Sequence, residues 1–314
     1  MSKSKVVIVG TGMVGMSYAY ALLNQGTVEE LVLIDLNKDR AMGEAMDLNH
    51  GLAYARRKMK IYAGDYNDCK DADIVVISAG VSQKEGETRI DLLNRNAKIM
   101  KSVVGNIMSS GFNGIILVAS NPVDILTYVA WKASGLPSFK VIGSGTSLDT
   151  SRLRFEIGDK LNINVKNIHA YILGEHGDTE FVCWSNAYVG VKPIKEVINM
   201  TNGIEFKDLN EIYLKVKNAA YEIIKRKNAT YYGIGMTLVS ITSSIINNEN
   251  RIIPVSVYNN GVYDIEKDLY IGLPAVINRD GVESIIPLKL DECEKEKLKY
   301  SSDTLKKILN EMNI

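Results

Sequence analysis

Val6-Val7-Ile8-Val9-Gly10-Thr11-Gly12-Met13-Val14-Gly15 decides the fold. Four consecutive apolar, largely β-branched residues read as a short buried strand. The glycine-rich segment after them reads as a tight turn into a helix over 13–23. Working outward, Leu31-Val32-Leu33-Ile34 is a second apolar run and ends at Asp35, while Ile74-Val75-Val76-Ile77 and Ile115-Ile116-Leu117-Val118 are two more. Helix-like patterns over 87–110 and 123–133 separate or follow them. Continuous apolar strands alternating with helices predict a parallel sheet covered on both faces. The fold class is therefore α/β, with a doubly wound (Rossmann) parallel sheet. Two of the strands run into Ser78-Ala79-Gly80 and Ser120-Asn121-Pro122. In open parallel sheets the ligand crevice lies at those carboxyl ends.

The turn itself has the G-x-G-x-x-G spacing, with a strand before it, a helix after it and an acidic residue about twenty positions on. Gly10 permits the turn, Gly12 lets a pyrophosphate approach the backbone, and Gly15 lets the helix pack on the sheet. The helix N-terminus offers free N–H groups to phosphate. Asp35 is placed to accept hydrogen bonds from both ribose hydroxyls; a 2′-phosphate would meet its carboxylate, so NAD is favoured over NADP. The plainer reading, a glycine turn and a surface aspartate, leaves this alignment unexplained.

Beyond Val141-Ile142-Gly143 the pattern changes. Helices are expected over 147–160, 205–225, 230–247 and 291–310, and strands over 167–173, 252–257, 269–277 and 282–288, the last three spaced as an antiparallel meander. The expected division is a dinucleotide-binding domain over 1–143 and a mixed α+β substrate domain over 144–314, with the 230–247 helix packing back on the first. The 314 residues, 46% hydrophobic and 24% charged, suffice for a large core. A formal net charge of zero gives no footprint for nucleic acid or an anionic membrane. Apolar runs are too short for a membrane span, and Met1 to Lys5 leads into a strand without an apolar leader. Cys69, Cys183 and Cys293 are odd in number and far apart, which fits a reducing cytoplasm. With no CxxC, HExxH or Cys/His cluster, no protein-held metal is expected.

The chemistry concentrates in Gly174-Glu175-His176-Gly177-Asp178 and Leu148-Asp149-Thr150-Ser151-Arg152. His176 is the best proton donor, because its ordinary pKa lies near working pH. A buried Asp149 would fix its tautomer and favour the imidazolium. Asp149 and Arg152 stand at i and i+3, on one helix face. Arg152 has the fork geometry to bind a substrate carboxylate through two hydrogen bonds; a simple ion pair with Asp149 is the alternative. A proton donor, its orienting carboxylate, an anion fork and a dinucleotide cradle imply hydride transfer on a small 2-oxo or 2-hydroxy acid.

Five motifs occur in order: Gly10 to Gly15, Gly86-Glu87-Thr88-Arg89, Ser120-Asn121-Pro122-Val123-Asp124, Leu148 to Arg152, and Gly174 to Asp178. In spacing the chain resembles the L-lactate/malate dehydrogenase family, specifically its bacterial L-lactate dehydrogenases, over essentially 5–309. The resemblance implies His176 as acid/base, Asp149 as its orienter and Arg152 as carboxylate clamp. Arg89 would polarise the carbonyl from a closing loop over 80–90, although taken alone it reads as a solvated loop arginine. Asn121 would contact substrate and cofactor, and Thr230 would line the substrate pocket while also serving as a helix N-cap. The implied cofactor contacts are Gly10, Gly12, Met13, Val14, Gly15, Asp35, Ala79, Gly80 and Asn121.

Gln83 matches the family's substrate-discriminating position, where malate-type members carry arginine. Beside a neutral Gln83 the second carboxylate of oxaloacetate would be uncompensated, at a cost of several kcal/mol, whereas pyruvate presents a methyl. Lys84 is expected to stay solvated. The implied reaction is pyruvate reduction with NADH in fermentation. The alternatives are malate dehydrogenase, a dehydrogenase for branched 2-hydroxy acids, or a non-catalytic NAD-binding protein. Arg154 and His169 match positions that bind fructose 1,6-bisphosphate in allosteric bacterial members, the plainer reading being a surface arginine and a strand histidine. A homotetramer is implied as well.

Overall fold

The computed structural model describes residues 4–81, 86, 88–201 and 203–312, with only the backbone of Arg89. The first half builds six strands, β1 (Lys5–Val9), β2 (Glu30–Ile34), β3 (Lys60–Ala63), β4 (Ile74–Ile77), β5 (Ile115–Val118) and β6 (Val141–Gly143). Between them run α1 (Met13–Gln25), α2 (Lys38–His50), α3 (Arg89–Ser109) and α4 (Val123–Ser134). The strands align in the order β3-β2-β1-β4-β5-β6, and every pair is parallel. The chain moves outward from β1 in one direction through β2 and in the other through β4, so a crevice opens beside the carboxyl end of β1. Strands β1, β4 and β5 are buried throughout, as unbroken apolar runs demand when helices cover both faces.

The second half contains α5 (Ser147–Leu161), five two-residue strands, β7 (Ile168–His169), β8 (Ile172–Leu173), β9 (Phe181–Val182), β10 (Tyr188–Val189) and β11 (Lys192–Pro193), then α6 (Ile194–Met200), α7 (Phe206–Lys227) and α8 (Tyr232–Ile246). It closes with β12 (Arg251–Asn259), β13 (Leu269–Asn278), β14 (Gly281–Ile285) and α9 (Glu292–Glu311). The antiparallel meander forms as expected. It is not a separate sheet, however: Ser256 of β12 pairs with Gly143 of β6, so β12, β13 and β14 extend the parallel sheet to nine strands.

The single strand expected over 167–173 is two. Strand β7 pairs with β10 and β8 with β9. Between them the backbone is held by α5 side chains, because Ala170 O accepts from Arg154 Nε at 3.2 Å and Ile172 N donates to Thr150 Oγ1 at 2.9 Å. Helix α2 buries only Ala41, Ala45 and Leu48 and so has no broad apolar stripe for a sequence reading to find. Leu153, Ile157, Ile168, Leu209, Ile212 and Val216 form a smaller core, separate from that of the sheet. No helix among the described residues is long and apolar enough to cross a membrane.

Helix α8 packs on α1. Tyr18 Oη and Thr242 Oγ1 share a buried hydrogen bond of 2.6 Å, and a Cβ on Gly235 would stand 2.9 Å from the Ser17 carbonyl carbon. Replacing a helical glycine by alanine ordinarily stabilises by about 1 kcal/mol. Here the added methyl must push two helix backbones apart, an overpacking cost of roughly 1–3 kcal/mol. Gly235→Ala is therefore expected to lower the urea midpoint of unfolding, and an unchanged or raised midpoint would show that the helices yield freely.

Candidate active site

The glycine turn has the geometry its sequence requires. Gly10 adopts φ 106°, a region that favours glycine, and its N–H donates to Ile34 O at 2.8 Å. A Cβ on Gly15 would lie 2.0 Å from Gly10 O, so only glycine lets α1 begin this close to β1. A Cβ on Gly12 would meet no atom of the described residues within 4 Å. Among the described residues the start of α1, where Met13 and Val14 form the first turn, is thus open at Gly12, and the first-turn N–H groups of a helix have no partner within it. Asp35 Oδ2 accepts from Thr11 N at 2.7 Å and Thr11 Oγ1 at 2.8 Å, and Oδ1 from Asn37 N at 2.9 Å. Partial burial opposes its ionisation, but these donors win and hold its carboxyl below the ordinary value. An anionic Asp35 at the tip of β2 suits a ribose diol and disfavours a 2′-phosphate. The residues present therefore fit NAD.

Across the crevice, Ser120 Oγ donates to Ala79 O at 2.6 Å and joins the segment after β4, with Ala79 and exposed Gly80, to the turn after β5, with exposed Asn121. Asn96 of α3 brackets Val81, accepting from its N–H at 3.0 Å and donating to its carbonyl at 3.3 Å. Gln83 and its neighbour Lys84 lie outside the described residues, as does the side chain of Arg89, whose backbone starts α3 behind the Thr88 cap.

Helix α5 starts at a buried junction. Ser147 Oγ donates to Pro254 O at 2.6 Å, and Thr146 Oγ1 donates to Ile172 O at 2.6 Å. This places Asp149, with a side chain 3% exposed, in the first turn of the helix. Its Oδ2 meets His176 Nδ1 at 2.5 Å, and its Oδ1 accepts from Arg152 Nη1 at 2.7 Å. Asp149 thus contacts the arginine and the histidine at once. The loop bearing His176 is pinned on three sides. Gly174, at φ 95°, exchanges two backbone hydrogen bonds with Gly272 of β13. Glu175 N donates to Ser301 Oγ of α9 at 2.7 Å, and His176 N donates to Asp124 Oδ2 at 2.8 Å.

Burial disfavours an imidazolium, but Asp149, with smaller help from Asp124 and Glu180, pushes the His176 pKa up to about 9. Burial likewise opposes ionisation of Asp149, yet His176 and Arg152 hold its carboxyl below the ordinary range. Glu180 was not singled out by sequence. It is buried, and burial followed by repulsion from Asp149 raises its pKa well above the ordinary carboxyl value. Its position four residues after His176 was the only available hint. Asp149, His176 and Glu180 bring their ligand atoms within 4.8 Å of one another, the one such group of metal-ligand type among the described residues. Two of its three members are already bonded to each other.

Thr230 lies half-buried just ahead of α8, and it is not the helix cap, a position that Tyr231 takes. The α8 start reaches α5, since a Cβ on Gly233 would stand 2.9 Å from Leu148 Cδ1. Arg154, two residues after Arg152, faces away from Asp149. Its guanidinium lies 5.2 Å from the Tyr171 ring centre and bonds Ala170 O, next to exposed His169.

Residues 4–143 match the model of the lactate/malate dehydrogenase NAD-binding domain, and 146–313 that of the lactate/malate dehydrogenase alpha/beta C-terminal domain. L-lactate dehydrogenase 2 of Bacillus cereus is 53% identical over 98% of this chain and 97% of its own. The L-lactate dehydrogenase of Geobacillus stearothermophilus is 52% identical over 98% and 96%. Among solved structures, the lactate dehydrogenase MGS-M5 from a Medee basin deep-sea metagenome library superposes with a TM-score of 0.99 at 68% identity, covering 100% of both chains. The minor L-lactate dehydrogenase of Enterococcus mundtii, in its ligands-bound form, gives 0.96 at 50% identity, covering 99% and 98%. With the dinucleotide crevice and the His176–Asp149–Arg152 junction in one molecule, the chain belongs to the lactate/malate dehydrogenase family of NAD-dependent oxidoreductases.

Proposed function

We propose that the protein is an L-lactate dehydrogenase that reduces pyruvate reversibly with NADH. The observation that carries this reading is the buried Asp149 carboxylate bonded to both His176 and Arg152 beneath the dinucleotide crevice. When bound, NADH supplies the hydride. His176 delivers the proton to the carbonyl oxygen: with Nδ1 committed to Asp149, Nε2 is the ring nitrogen left for substrate. Arg152 grips the substrate carboxylate while keeping its contact with Asp149, and Arg89 stabilises the developing oxyanion. Asn121 orients substrate and cofactor, and Thr230 lines the pocket. Cofactor is held by Gly10, Gly12, Met13, Val14, Gly15, Asp35, Ala79, Gly80 and Asn121. In this reading the domains divide at about Gly143.

The effector reading assigns fructose 1,6-bisphosphate to Arg154 and His169, at a subunit junction of a homotetramer. It is supported by the exposure of His169 and the turn of Arg154 away from substrate. Oligomerisation is supported by the exposed cluster of Tyr20, Tyr54, Tyr232 and Met236 on and beside α1 and α8. A cytoplasmic, fermentative role accords with three free cysteines.

Four outcomes are expected. Pyruvate is reduced at least about a hundredfold better than oxaloacetate in kcat/KM, equivalent to about 2.7 kcal/mol at the position of Gln83; equal values reject that argument. His176 stays protonated up to about pH 9, so pyruvate reduction holds through neutrality and falls above that pH. Asp149→Asn removes the main support of the imidazolium, so the fall moves toward the ordinary histidine range and kcat drops roughly 10²–10⁴-fold, as steady-state pH profiles will show. Finally, fructose 1,6-bisphosphate lowers the KM for pyruvate at neutral pH and low phosphate, and Arg154→Gln abolishes the response; a flat titration of the parent enzyme removes the effector assignment.

A further inference from the structure

Asp124 stands in the first turn of α4, three residues after Asn121, and is 2% exposed. Its Oδ2 accepts from the backbone N–H of His176 at 2.8 Å, and its Oδ1 from Ser256 Oγ of β12 at 2.5 Å. One carboxylate therefore joins the turn on the nucleotide side, the loop that carries the histidine and the first strand of the meander. These contacts span 52 and 132 residues of sequence.

We propose that Asp124 is a positioning residue for the reaction: it locks the backbone of His176 to the Asn121 turn and, as a buried anion, is the second carboxylate that keeps the imidazole charged. The inference rests on the reading of His176 as proton donor. A purely structural tie would not need the charge. An asparagine of nearly the same shape can accept from the His176 N–H and bond the Ser256 hydroxyl, without the desolvation of a buried anion. The surroundings instead sustain an anion. The two donors point at its oxygens, the N-terminal end of α4 favours negative charge, and the His176 ring is cationic.

Among the described residues, the titratable groups that act most on Asp124 come from the histidine loop. His176 favours its ionisation and the Glu175 carboxylate opposes it, while β12 presents the neutral Ser256. Burial outweighs the helping contacts and pushes the Asp124 carboxyl up to about 6. His176 remains protonated to about 9. Between about pH 6 and about pH 9 Asp124 is charged while His176 is protonated; below about pH 6 the anion is lost, but the imidazole holds its proton there without it. Loss of the Asp124 charge is therefore felt where the proton on His176 is lost, at the alkaline limb of pyruvate reduction, and adds no acid limb.

The test is the pH profile of kcat/KM for pyruvate, with NADH affinity measured by fluorescence, for the parent enzyme, Asp124→Asn, Ser256→Ala and His176→Asn. The expected result for Asp124→Asn is a downward move of the alkaline limb by about one pH unit. Activity above that limb then falls up to about tenfold, and NADH affinity is unchanged. Ser256→Ala removes a donor but leaves Asp124 charged at alkaline pH, so its alkaline limb stays parental; an equal downward move there would show that packing and not charge sets the limb, and would overturn the proposal. If Asp124→Asn shows the parental profile, the proposal is overturned. If Asp124→Asn does not fold, Asp124→Ser decides on the same readout: a lowered alkaline limb supports the proposal, and a parental one overturns it. Undiminished pyruvate reduction by His176→Asn would instead overturn the proton-donor reading itself, and the present inference with it.

Discussion

A carboxylate almost sealed from water sits between two cations, and the rest of the site is arranged around it. Asp149 gives one oxygen to Arg152 and the other to His176. Burying such a group without partners would cost several kcal/mol, and removing either partner leaves a charge that the interior cannot solvate. The arrangement is therefore rigid in a way that an exposed ion pair is not. It also sets the protonation of its neighbours. Burial, and after it the same negative charge that holds a proton on His176, makes Glu180 difficult to ionise. The result is one strong acid, one weak acid and a protonated base within a few ångströms, which suits proton delivery to a carbonyl oxygen.

The fold supplies that carboxylate with its partners from distant places. Helix α5 starts where β6, β8 and β12 converge, and its first turn is fastened by Thr146 and Ser147 to the backbones of Ile172 and Pro254. The histidine loop is fastened independently, by Gly272 of β13, Ser301 of α9 and Asp124 of α4. Extension of the parallel sheet by β12 and β13 is what brings these anchors together. Had the meander formed a separate layer, Ser256 would not stand beside the α4 turn, nor Gly272 beside Gly174. The nucleotide crevice is built differently, from contacts close in sequence: Gly10 beneath Gly15, and Thr11 on Asp35.

That difference explains what a reading of the chain can and cannot reach. The strands at 6–9, 31–34, 74–77 and 115–118 are unbroken apolar runs, and the glycine turn follows the first of them at once, so sheet, helix and cradle are written in local pattern. The partnership of Asp149 with His176 was also within reach, because residue types with complementary chemistry were present in recognisable motifs. Helix α2 was missed because its buried positions are few and small. The break between β7 and β8 was missed because it is imposed by Arg154 and Thr150 side chains from another element.

The amino-acid order by itself determined the α/β class, the dinucleotide turn and the identity of the groups able to carry charge and protons. Each follows from periodicity, glycine stereochemistry or side-chain chemistry, which act over a few residues. Tertiary structure alone decided that the antiparallel strands continue the parallel sheet, that Glu180 is raised beside Asp149, and that Asp124 and Ser301 hold the two successive amides of Glu175 and His176. Those outcomes depend on burial and on hydrogen bonds between groups 52 to 126 residues apart, and low-dielectric surroundings, which set the protonation states, exist only once the chain has closed over them.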